Sequence, residues 1–372
     1  MDGVELEKST QKPGPDLRME RIRSRLFVAL FILLAVLVIP ASSRTQPTPP
    51  VCDSPATVVP CMTDWALENL DDLEYVSDTL TKRHLTDQDF AAGCHITWHA
   101  LGQAAGTRYP IDKALDSWVY SCAGGFMHGV MSTAPRRGNL DKFGHEAGSV
   151  CAGYESRSRV AYLDCWHGIG HGYAHVLSFP ESMYACHPVA PAQDEFEWCA
   201  WGASEMPNEA YQTDPVVRER FKNSLPQLCD GVLYGHRACY RMSLLMMHGS
   251  GWRYEDMLDY CQKQPSAHSK SCGYGLGQVV AARWLSGALG PEACLDDRTL
   301  SMTCAAGFGW HLARPFEWGA FDDSPDLRTR VERACSLFVS PHRRSCQDSF
   351  DELRRIELSP TEERSLMESW KP

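Results

Sequence analysis

The stretch that decides how this chain reads is Asp164–His175, DCWHGIGHGYAH, in which His167, His171 and His175 fall four residues apart among three glycines. On a helix each residue advances about 100°, so a step of four turns by only ~40° and the three imidazoles share one face. Glycine inside a helix costs up to ~1 kcal/mol relative to alanine, and Gly168, Gly170 and Gly172 lie within five residues. A chain tolerates that where close backbone approach returns more through packing. The stretch therefore predicts a central helix, pressed against its neighbours and carrying imidazoles.

Outward from it, the same signature recurs. CAGGFMHG starts at 122, CWHGIGHG at 165, CAWGASEM at 199, CGYGLGQV at 272 and CAAGFGWH at 304. The shared pattern is Cys-x-x-Gly, then any residue, then usually a small one. CYRMSLLM at 239 and CHITWHAL at 94 are weaker relatives, and CQDSFDEL at 346 keeps only the cysteine, as suits a terminal unit. Successive anchors from 122 to 346 are 43, 34, 40, 33, 32 and 42 residues apart. Recurrence at that length is the signature of stacked supersecondary units.

Each unit also has a first half. DPVVRERFKNSLPQLC, RYEDMLDYC and SPDLRTRVERAC carry apolar residues three and four apart and end at a cysteine. Asp214-Pro215 and Ser324-Pro325 place a capping side chain and a proline at helix starts. Sustained alternation of the strand type is missing. The pattern reads helix A, cysteine, loop, cysteine, helix B. It predicts an all-α fold of disulfide-stapled helical-hairpin repeats, and both an α-solenoid and a closed α/α ring satisfy it.

Sixteen cysteines are an even set, and none forms a C-x-x-C, which removes support for zinc ribbons, thioredoxin-type sites and c-type haem attachment. Pairing each cysteine with its neighbour gives 52–61, 94–122, 151–165, 186–199, 229–239, 261–272, 294–304 and 335–346. Closing loops of this kind stabilises by about 2.5–3 kcal/mol each. The 94–122 pair fits least well, because both cysteines open B-type segments and neighbouring helix axes lie about 8–10 Å apart.

The compartment follows from the other end of the chain. Residues 26–41, LFVALFILLAVLVIPA, are an unbroken apolar run preceded by Arg18, Arg21, Arg23 and Arg25. Positive charge on that flank holds it in the cytoplasm and sends the rest outside. The expected organisation is a cytoplasmic tail at 1–25, a transmembrane signal-anchor at 26–41, a Pro-rich linker at 42–50, an extracytoplasmic domain at 51–358 and a C-terminal tail at 359–372. The run is short for a spanning helix, so secretion after signal cleavage is the competing expectation. The whole chain carries −11, and the residues beyond 50 have 29 basic against 42 acidic side chains, a net −13. Such a surface argues against nucleic acid, and the expected association with the membrane runs through the N-terminal helix alone.

Histidines mark the candidate site. His95 and His99 repeat the i, i+4 spacing of His167 and His171, a spacing by which two imidazoles on one helix chelate one ion. The sixth residue after the cysteine is His128, His171, Glu205 and Gln278 in four of the units. If the B helices line a common interior, these side chains converge. The candidate metal ligands are His95, His99, His128, His167, His171 and His175, for a transition metal such as zinc or copper. His171 and Glu205 form the candidate catalytic pair. GHEAG at 144 begins like a zincin motif but has Ser149 where the second histidine belongs. Three functions are compatible with this pattern: a metal-binding protein with enzymatic potential, a scaffold for a protein or small-molecule ligand with structural histidines, and a metal-independent His/Glu hydrolase or lyase.

Overall fold

The computed structural model describes residues 47–356, apart from 53, 92, 117–119, 138, 214–215, 217–218, 220–223, 231 and 314–325. The apolar run at 26–41, its flanking segments and the two capping dipeptides at 214 and 324 lie outside these residues. Among the described residues all regular structure is helical, and no helix is long and apolar enough to cross a membrane.

Fourteen helices of eight or more residues follow one another there: α1 Pro55–Glu68, α2 Leu73–Thr86, α3 Cys94–Arg108, α4 Gly125–Thr133, α5 Leu140–Glu155, α6 Arg159–Ala174, α7 Phe179–Cys186, α8 Gln193–Thr213, α9 His236–Gly249, α10 Tyr254–Gln262, α11 Ser266–Leu285, α12 Ser301–Leu312, α13 Asp326–Ser336 and α14 His342–Ile356. Local chemistry sets several starts. Asn139 and Ser158 accept backbone N–H groups at the heads of α5 and α6. Ser178 and Glu181 form a capping box at α7, with Pro180 in the first turn.

All eight cysteine pairs read from the sequence are formed, and no cysteine is free. Such a set belongs to an oxidising compartment and marks an extracellular or secreted protein. The 94–122 bridge escapes the expected distance problem for two reasons. Cys122 sits before α4 rather than on it, in a run of left-handed residues with φ of 52° at Cys122, 51° at Ala123 and 70° at Gly124. The α3 and α4 backbones also touch, since a Cβ on Gly102 would collide with the Phe126 carbonyl and one on Gly129 with that of His99. The two Cα atoms come within 5.9 Å.

The A-type halves are less uniform than their amphipathic pattern predicts. α10 and α13 are true helices ending at Cys261 and Cys335. The chain reaches Cys229 and Cys294 through 3-10 turns instead, Leu225–Gln227 and Pro291–Leu295. Pro226 and Pro291 lack the N–H that a continuous helix needs, and the tighter turn does not require it.

The B-type helices pack in chain order: α3 on α4, α4 on α6, α6 on α8, α8 on α9, α9 on α11, α11 on α12 and α12 on α14. Glycines make these contacts. A Cβ on Gly170 would collide with the Cys199 carbonyl, one on Gly277 with that of Cys304, and one on Gly309 with that of Cys346. In return, Gly202 lies on the His167 carbonyl and Gly307 on that of Tyr274. All residues of α4, and Val160–Tyr173 of α6, are buried, so these helices have no solvent face.

The close contacts set a sharp contrast. Gly170→Ala should destabilise the chain by about 3 kcal/mol, the upper range for overpacking. Gly153→Ala, on α5 with nothing within 4 Å of the new methyl, should be neutral or stabilising by up to ~1 kcal/mol. Urea unfolding of both variants checks this, and equal midpoints would refute the packing argument.

Candidate metal centre

Four neighbouring helices, α3, α4, α6 and α8, deliver the polar groups into the dry interior. α6 carries His167 and His171 one turn apart. Gly168 and Gly172 let α4 lie against α6, where Gly168 meets Met131 and the His128 backbone. Gly129 brings α4 onto the His99 carbonyl, and Gly202 brings α8 onto that of His167. The glycines thus stand beside the histidines because they set the distance at which imidazoles from separate helices meet.

The rings form one cluster. Centroids lie 4.7 Å apart for His128 and His167, 4.7 Å for His167 and His171, and 5.2 Å for His128 and His171. His95 is 5.4 Å from His128 and 6.1 Å from His99, which is 5.6 Å from His171. The Nε2 atoms of His167 and His171 are 2.9 Å apart. Glu205 places Oε2 3.0 Å from the His167 Nε2 and 3.8 Å from that of His171, while the Trp201 indole N–H donates to its Oε1 at 2.5 Å.

His128, His167 and His171 are buried, and each offers a nitrogen within 4.8 Å of the other two, a geometry able to hold a metal ion. A tetrahedral ion with bonds of about 2.0–2.1 Å needs its nitrogens roughly 3.4 Å apart, a gap that ring rotation closes. A second group, His84, Cys94 and Cys122, has its sulfurs joined in a disulfide, with the His84 Nδ1 3.1 Å from each. Bonded sulfur is not a thiolate ligand, so the imidazole cluster is the stronger site.

Of the sequence candidates, His95, His99, His128, His167, His171 and Glu205 come together. His175 stands at the C-cap of α6, near enough to His99 to act on its charge, and outside the three-nitrogen group. Gln278, the fourth aligned position, is turned elsewhere: its Oε1 accepts from the Arg241 Nε at 2.9 Å. Arg241 is buried between the rings of Trp201 and Trp310, 4.0 and 4.4 Å from their centroids.

Two contributors were not singled out in the sequence. Trp201 orients Glu205 and packs against His167 with centroids 4.7 Å apart; its position one turn before Glu205 was a usable signal. Asp164, one turn before His167 on the same face, is buried and accepts the Tyr120 hydroxyl at 2.6 Å. A Cβ on Gly124 would sit 3.1 Å from the His128 Nε2 and 3.2 Å from the Asp164 Oδ2, which places the left-handed strap against the cluster.

Burial governs the charge state. His99 is pushed down to about 3, first by desolvation and then by His95, His175 and His167, with Glu205 opposing. Desolvation followed by the neighbouring imidazoles also holds His128 and His171 well below the ordinary histidine range. All three are neutral at pH 7, the form in which imidazole binds metal.

The chain matches no protein-family model, no curated protein and no solved structure.

These shifts carry a sign. In the unfolded chain the imidazoles protonate near 6.5, while the folded chain keeps them neutral far lower. Between about 6.5 and about 3 the unfolded state therefore binds more protons, and stability falls as the pH drops through that window. The stability gained from neutral burial is fully present above it. The metal-free chain should lose about 1.4 kcal/mol per pH unit for each such group. Urea midpoints measured from pH 7.5 to 4.5 test this; a flat profile below 6.5 would contradict it.

Proposed function

We propose that this is a membrane-anchored extracytoplasmic protein whose folded part is a repeat array of stapled helical hairpins, and that it binds a transition metal, zinc or copper, between His128, His167 and His171. The observation that carries the metal reading is the state of the ring nitrogens. Both nitrogens of His128, and Nδ1 of His167 and of His171, are buried without a hydrogen-bond partner. Each such group costs about 1–3 kcal/mol in a protein interior. Structural histidines are normally satisfied by backbone carbonyls; ligation gives a partner to His128, which has none on either nitrogen. Glu205 brings negative charge to the same spot. An ion held by three imidazoles keeps an open position, which is the basis for enzymatic activity in this reading.

Support for the repeat comes from the equivalence of the contacts. In three of the interfaces the glycine five residues after one anchoring cysteine lies on the carbonyl of the next anchoring cysteine: Gly170 on Cys199, Gly277 on Cys304 and Gly309 on Cys346. The anchor rests on the basic-flanked apolar run at 26–41, and the external placement agrees with the bridges.

The closeness of the His167 Nε2 to both the His171 Nε2, at 2.9 Å, and the Glu205 Oε2, at 3.0 Å, favours a second reading, metal-independent acid–base chemistry of the hydrolase or lyase kind. A small-molecule ligand has a ready place nearby, a cavity of about 120 Å³ lined by Trp198, Trp201, Arg241 and Trp310 among others.

Elemental analysis of the purified full chain separates the readings. At least one zinc or copper ion per chain is expected, reduced by one ion in His167→Ala/His171→Ala. A fully folded wild-type chain that takes up neither metal removes the metal reading and leaves the acid–base one.

A further inference from the structure

The cluster has more donors than one ion uses. A tetrahedral site takes four ligands, and a site with an open position takes three from the protein. Five imidazoles and Glu205 meet here. They fall into two sets built alike. α6 supplies His167 and His171 at i, i+4, and the next B-type helix, α8, adds Glu205. α3 supplies His95 and His99 at i, i+4, and the next B-type helix, α4, adds His128. In both sets the third group is the sixth residue after its helix's anchoring cysteine, Cys199 for Glu205 and Cys122 for His128.

Ring spacing ties His128 to both sets, 4.7 Å from His167 and 5.4 Å from His95. Imidazoles sharing a tetrahedral ion have centroids about 5 Å apart, given bonds near 2.0–2.1 Å. His95 lies 5.4 Å from His128 and 6.1 Å from His99, so His95 stands between the other two members of the outer set. The sets also touch, with His99 5.6 Å from His171 and His128 4.7 Å from His167.

Two further observations mark the outer pair as ligands. The His95 Nδ1 lies 2.8 Å from the Cys122 carbonyl oxygen. A histidine that ligates through Nε2 donates its other N–H in this way, to a carbonyl that fixes tautomer and ring direction. That carbonyl belongs to the left-handed strap, whose non-glycine residues at 122 and 123 hold a backbone conformation that persists only where the surroundings impose it. On His99 the Nε2 is buried and has no hydrogen-bond partner.

We infer that the cluster holds two transition-metal ions side by side, one on His167, His171 and Glu205 and the other on His95, His99 and His128. The inference rests on the metal reading above and changes it from a mononuclear to a dinuclear centre, with Glu205 taking the place of His128 on the first ion and His128 passing to the second.

Zinc titration of the full chain, followed by elemental analysis after gel filtration, tests it. Two ions per chain are expected in the wild type. His95→Gln/His99→Gln should keep one, and His167→Gln/His171→Gln should keep the other. One ion in the wild type, unchanged by the 95/99 substitutions and abolished by the 167/171 substitutions, overturns the two-ion assignment and leaves the mononuclear reading intact. Zero ions in a folded wild type removes both. Near-UV circular dichroism and mass mapping of the eight bridges identify any variant that fails to fold. Copper(II) loading gives an independent readout: a coupled pair loses most of its paramagnetic resonance intensity, and full intensity from two ions per chain contradicts adjacency.

Discussion

Everything in this molecule depends on helices that approach until one backbone rests on another. A carbonyl at the start of one B-type helix presses on a glycine of its neighbour, and any side chain there would force the pair apart. That contact explains why helices with so much glycine persist: the propensity lost within each is recovered at its surface. It also explains why α4 and α6 are buried all round. Six of the bridges act on the same contact from the side, tying an outer segment to its inner helix, while the 94–122 bridge joins the starts of two inner segments.

The interior created in this way is shielded from solvent and leaves several buried ring nitrogens without a hydrogen-bond partner. Imidazoles from three helices, and a carboxylate from a fourth, are nevertheless collected there, at ring separations set by the glycines beside them. Dryness keeps them neutral, and neutrality leaves their lone pairs available. Burial, which makes a polar cluster costly in an ordinary core, makes this one a competent ligand set. Trp201 belongs to the same logic, since its indole N–H turns one Glu205 oxygen and leaves the other facing His167.

Much of this was legible in the residues. The regular spacing of cysteines read directly as eight local bridges, and glycines following a cysteine read as inner helices. The shared face of His167 and His171, and the recurrence of His128, His171 and Glu205 at one offset, pointed to the cluster. Other features were hidden for physical reasons. Offset alone placed Gln278 with the others, but Arg241, from the helix before, captures its oxygen. The amphipathic pattern of the outer segments did not reveal the 3-10 turns at Leu225–Gln227 and Pro291–Leu295. The tight 94–122 bridge depended on a left-handed strap that no sequence period encodes, because three consecutive residues of that hand reflect tertiary constraint rather than local preference.

The bridges have one more property with a consequence for how the protein is made. Each joins a cysteine to the very next one along the chain, across 9 to 14 residues in seven cases and 28 in the other. A polypeptide emerging from a translocation channel therefore always exposes the correct partner first. Simple oxidation in order of arrival yields the native connectivity, so biogenesis makes little demand on the isomerases that sort out crossed pairings in other secreted chains.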